Sequence, residues 1–83
     1  MRSHDSIVAL ARSAAFHASE IAARLIDAGS DAAADACRLA DDAASEHANA
    51  RCASSLSDAE EAAGYAVESA RLAAELGAPQ LAS

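Results

Sequence analysis

The side chains able to do chemistry in this chain are few. They are Cys37 and Cys52, the imidazoles of His4, His17 and His47, six arginines, and glutamates at seven-residue spacing, Glu61, Glu68 and Glu75. Thiolates and imidazoles are the usual zinc ligands, but structural zinc sites hold them at short local spacings such as C-x-x-C. Neither cysteine has such a neighbour, and the histidines fall at no ligand spacing. No Glu-x-x-His pattern of a di-iron bundle occurs either. If both cysteines share one helix, fifteen positions separate their Cα atoms by roughly 22 Å, far beyond the ~4.4–6.8 Å of a disulfide. Cys37 then reads as a small core residue and Cys52 as an adventitious thiol. Only a metal- or redox-responsive set, gathered across helices from Cys37, Cys52 and the histidines, would give them a function.

Catalysis has even less to draw on. There is no Gly-rich phosphate loop and no nucleophile elbow. Glu61, Glu68 and Glu75 share a helix face with Glu60 and Arg71, which reads as a solvated acidic face rather than a carboxylate site. The sequence therefore predicts no enzyme, no metal site and no cofactor.

Contact chemistry is better represented. Phe16, the single Phe, falls among Arg12, Ser19, Glu20 and Asp27 on the polar side of its helix, and aromatic residues are enriched at binding hot spots. Tyr65, Leu72 and Leu76 form a stripe further along, either a contact surface or a second core face. His47 and Arg51 stand one turn apart beside Ala40 and Ala44. They can receive an anion or a carboxylate of another chain, or they are solvated beyond the core or bridged to an acid such as Glu20. Phe16, Tyr65, Leu72, Leu76, His47 and Arg51 are the candidate partner-binding residues.

The elements that must carry these residues are helices. Of 83 residues, 27 are alanine, the residue with the best intrinsic helix propensity, whereas Leu, Ile, Val and Phe together number 13. Gly29 is placed to end a first helix in the left-handed conformation, with Ser30 or Asp31 capping the next. Ser57-Asp58-Ala59-Glu60 has the form of a capping box, and Gly77 followed by Pro79 reads as a stop. These marks predict helices over about residues 5–28, 31–54 and 58–76, with 77–83 as a tail, all in one domain. Short links favour antiparallel neighbours. The fold class expected is all-α, a small antiparallel three-helix bundle with Ala-rich, closely packed helices. The alternative, helices 2 and 3 continuous, requires a partner chain.

The apolar faces are built from methyl groups. Ile7, Ala11, Ala14, Ala18, Ile21, Leu25 and Ala28 share one side of helix 1 at about 100° per residue, widened by Val8, Ala22 and Ile26. Helices 2 and 3 carry alanines at every fourth position, Ala32 to Ala48 and Ala62 to Ala74, which predicts ladders that let helices approach closely. Each buried methyl contributes on the order of 0.8 kcal/mol, against about 1.5–3 for a Leu or Ile side chain. Such a core is marginal alone and favours association with a protein partner or a second copy.

Charge narrows the partner class. Six arginines and no lysine against thirteen acids give a net charge of −7. Without basic clusters, neither nucleic acid nor an anionic membrane surface is an expected partner. Charges interrupt every apolar run, and the opening residues do not form a secretory leader, so the expected location is cytoplasmic with free thiols. The function expected is a non-enzymatic protein-binding module, an accessory subunit, adaptor or inhibitor of a larger protein. A metal- or redox-responsive protein and an acidic phage-type inhibitor mimicking nucleic acid are the alternatives.

Overall fold

The computed structural model describes residues 3–81, which form three helices: α1 (His4–Asp27), α2 (Ala33–Cys52) and α3 (Leu56–Leu81). Ser3 caps α1, its hydroxyl accepting from the Ser6 N–H at 3.2 Å. The other end closes on Gly29 at φ +67°, with the Gly29 N–H donating to the Ile26 carbonyl and the Ser30 N–H to the Leu25 carbonyl, both at 3.0 Å. That is the Schellman arrangement, which satisfies carbonyls the helix leaves open and needs a left-handed residue that glycine adopts without a Cβ clash.

The chain reverses quickly. Ser30 accepts at its Oγ from the Ala32 N–H at 3.1 Å, a local turn that leads into α2 without itself being its cap. At the far end, Ala53 turns extended and α2 stops at Cys52, two residues earlier than expected. α2 and α3 are thus separate helices. The capping of α3 also differs from expectation: Ser55, not Ser57, accepts from the Asp58 N–H at 3.1 Å, so the helix begins at Leu56. Ser55-Leu56-Ser57-Asp58 carries the same Ser-x-x-acid signature two residues upstream.

Contacts at the helix ends fix the course of the chain. The His4 ring, in the first turn of α1, bonds the Ala50 carbonyl near the end of α2 at 3.0 Å. Ile7 and Leu10 of α1 share a cleft with Glu60, Ala63 and Gly64 near the start of α3. Ile21 and Leu25 meet Gly77 near the end of α3. Hence α2 runs back along α1, and α3 runs up again beside both. The molecule measures 41 × 19 × 14 Å. Its length is that of α3 alone, whose 26 residues rise about 39 Å.

α3 does not stop at Leu76. It continues through Gly77 and Pro79 to Leu81, and residues 82 and 83 lie outside the described residues. Gly77 is buried at a close approach, where an added Cβ would lie 2.9 Å from Ile21 Cγ2 and 3.6 Å from Leu25 Cδ1. A residue that ends helices in an open turn is here the thinnest point of a helix contact. Packing on α1, together with the Ser30 hydroxyl donating to Gln80 Oε1 at 3.3 Å, holds the last turn past the proline. Pro79 withholds an N–H only from the Glu75 carbonyl, one helix bond out of the segment.

The buried rows alternate steps of four and three. They run Ile7, Ala11, Ala14, Ala18, Ile21, Leu25 on α1; Ala36, Ala40, Ala43, Ala50 on α2, with half-buried His47 completing the sequence; and Ala59, Ala63, Ala66, Ala70, Ala73, Gly77 on α3. This is a heptad seam, repeating every 3.5 residues on average, as in left-handed helix bundles. The every-fourth ladder fits less well. Ala44 and Ala48 of α2 are exposed, because steps of four residues turn by about 400° and wind off the face by about 40° each time. On α1, Ile26 is also exposed, at 56%, although Val8 and Ala22 are buried.

Candidate protein-binding surface

Among the described residues, fourteen of the eighteen buried hydrophobic side chains are alanine; the other four are Ile7, Val8, Ile21 and Leu25. The larger side chains lie outside. Leu10, Phe16, Ile26, Leu56, Tyr65, Val67, Leu72 and Leu81 are all exposed. Alanine fills most seam positions, and most of the large apolar side chains stand on the flanks.

Phe16 is 65% exposed, on the face of α1 directly opposite Ile7 and Leu25. Tyr65 and Leu72 are exposed and Leu76 is half-buried, so this stripe is a flank of α3 and not a second core face. Tyr65 leans over the α2–α3 side, where it lines one cleft with Asp42, Glu46, Asn49 and Glu68, and an adjoining one with Asp58 and Glu61. Glu68 and Glu75 both bind the Arg71 guanidinium, with Arg71 Nε donating to Glu68 Oε2 at 3.0 Å. The hydrogen bond from Arg71 holds the Glu68 carboxyl below its ordinary pKa and raises that of Arg71. Glu61, Glu68 and Glu75 are exposed along this acidic side, and an exposed ion pair of this kind adds little stability.

Arg51 is exposed, whereas His47 turns inward. His47 stands on the seam between Ala43 and Ala50, half-buried, and its Nε2 is buried without a hydrogen-bond partner. The charges that act on its ring are cationic, Arg12 from α1 and Arg51 from its own helix. Burial, then Arg12, then Arg51 push the His47 pKa below its ordinary 6.5. Among the described residues neither arginine forms an ion pair, and Glu20 does not bridge to the pair. The spacing of His47 and Arg51 shows on one helix, whereas the approach of Arg12 depends on how α1 lies against α2.

The sequence reading missed the surface with the least polar lining. A groove between α1 and α3 is walled by Leu10, Ala14 and His17 on one side and Val67, Ala70 and Ala74 on the other, with Ser13 and Arg71 at its edges. The signal was available as two rows with steps of four and three, 10–14–17 and 67–70–74, which share Ala14 and Ala70 with the seams and otherwise stand one position off them. Comparison of the chain with protein-family models, curated proteins and solved structures finds no match. Cys37 is half-buried and Cys52 exposed, both as free thiols. Among the described residues no three His, Cys, Asp or Glu side chains are grouped to hold a metal ion, and no helix is long and apolar enough to cross a membrane.

Proposed function

We propose that this chain is a non-enzymatic protein-binding module, serving a larger protein as accessory subunit, adaptor or inhibitor. The observation that carries this reading is the apolar groove between α1 and α3. Leu10 and Val67 form ridges there, and Ala14, Ala70 and Ala74 form a low floor. A helix from another protein, with apolar residues at helical spacing, fits such a groove. The inverted distribution of side chains supports the reading, since residues that would strengthen the core are held where only an external surface can cover them.

Capture of partners on the immobilised native chain, read by mass spectrometry, tests the reading. Val67→Asp is exposed and should preserve helicity by circular dichroism while losing the captured proteins. Retention of the same proteins by the variant would remove the groove from the function. The acidic clefts along α2 and α3 favour one second reading, an inhibitor that occupies a nucleic-acid site of its target. Competition by duplex DNA for the captured protein would distinguish it.

A further inference from the structure

From the solvent face of α1 we infer that the chain pairs with a second copy of itself, the two α1 helices lying antiparallel about a twofold axis at Phe16. This deepens the protein-binding reading by naming one partner, and it concerns a different face from the α1–α3 groove.

Phe16 is the most exposed of the large apolar side chains and lies midway along α1. The residues around it are symmetric in kind. Three positions to either side stand Ser13 and Ser19, four positions away Arg12 and Glu20, and seven positions away Ala9 and Ala23. All six are exposed, and at about 100° per residue they fall within about 60° of Phe16, on one strip of the helix. A twofold axis through Phe16 sets each position against its mirror position on the other copy. Arg12 then faces Glu20 of the second copy, and Glu20 faces its Arg12.

Charge chooses this arrangement over the alternatives. Parallel pairing would bring Arg12 against Arg12 and Glu20 against Glu20. Within one copy, Arg12 and Glu20 are about 12 Å apart along the axis, too far to pair, and among the described residues neither forms an ion pair. The small Ser and Ala residues let the two axes come near the short end of about 8–10 Å, with the Phe16 rings offset against each other at the centre. An unrelated partner would not call for this symmetry about the one large side chain.

The strip is only some four turns long and each copy carries −7, so the pair belongs to the weak, transient class. The same symmetry sets Asp5 opposite Asp27 at both ends, and Asp27→Asn should tighten the pair.

Sedimentation equilibrium of the purified chain from about 10 μM to 1 mM, at about 0.15 M salt, provides the test. The expected result is a monomer–dimer equilibrium in which Phe16→Ala, Arg12→Glu or Glu20→Arg each raises the dissociation constant by about tenfold or more. Each charge reversal alone opposes like charges twice. Mixed together, the Arg12→Glu and Glu20→Arg chains should form a heterodimer more readily than either pairs with itself. A wild-type chain that stays monomeric throughout, or a mixture no better associated than its components, would overturn the inference. Partner capture through the groove would remain untouched by that failure, because it is read with Val67→Asp and a foreign protein.

Discussion

His47 occupies a seam position that every other repeat of α2 gives to alanine, and its buried Nε2 has no partner. Burial, Arg12 and Arg51 all disfavour the imidazolium, so the folded pKa lies below the ordinary 6.5 of the unfolded chain. Above that value the ring is neutral in both states and contributes nothing to pH dependence. As pH falls through it, the unfolded chain binds the proton first, and folding stability declines until the lower folded pKa is reached. The urea midpoint followed by circular dichroism should therefore drop between pH 7.5 and 5.5, and His47→Gln should shrink that drop. An unchanged drop would assign the pH dependence to other groups. Two glycines give a second test at this scale. Gly64 is an exposed helical residue whose added Cβ meets nothing within 4 Å, so Gly64→Ala should stabilise by about 0.5–1 kcal/mol through helix propensity. Gly77→Ala receives the same gain but drives its methyl to 2.9 Å from Ile21 Cγ2, the branch of a stiff side chain. Overpacking of this kind costs about 1–3 kcal/mol, so a net loss is expected. Thermal melting of the two variants should shift in opposite directions, and a shared upward shift would deny the close approach of α3 to α1.

Each helix, taken as an element, is specified by a seam of period 3.5 and by its ends. The seam decides which alanines matter. Ala40 is buried between helices, whereas Ala48, two ladder steps later, is exposed. Ala40→Leu should lose about 1–3 kcal/mol by forcing the axes apart, and Ala48→Leu should stay within about 0.5 kcal/mol of the parent. Equal destabilisation, measured by urea unfolding, would restore the every-fourth ladder and refute the heptad. The ends follow local hydrogen bonding where it is strong, as at Ser3, Gly29 and Ser55. Against that pattern, the end of α3 follows packing. Gly77 and Pro79 are helix-ending residues by intrinsic preference, yet Gly77 itself meets Ile21 and Leu25, and the helix continues through that contact to Leu81.

The whole molecule is a thin rod, 41 Å long and 14 Å across its narrowest dimension, because methyl groups set the spacing of its axes. Among the described residues, only Ile7 and Leu25 of the large side chains are fully buried. Urea unfolding should accordingly give a stability near the low end of the usual ~5–15 kcal/mol. The sequence by itself determined the all-α class, the absence of strand patterning, the first turn at Gly29 and the buried face of α1. These are local matters: alanine propensity, a left-handed glycine, and large apolar residues whose spacing marks a face. Tertiary structure decided how far along each alanine row burial extends: Ala36, Ala40, Ala62, Ala66 and Ala70 are buried, whereas Ala44 and Ala48 wind off the contact face. It decided that Tyr65 and Leu72 stand outside, that Leu10 and Val67 flank one groove, and that the Arg12 charge acts on His47. Each of these depends on the distance and rotation between two helices, and those are fixed only when the seams of all three are packed together.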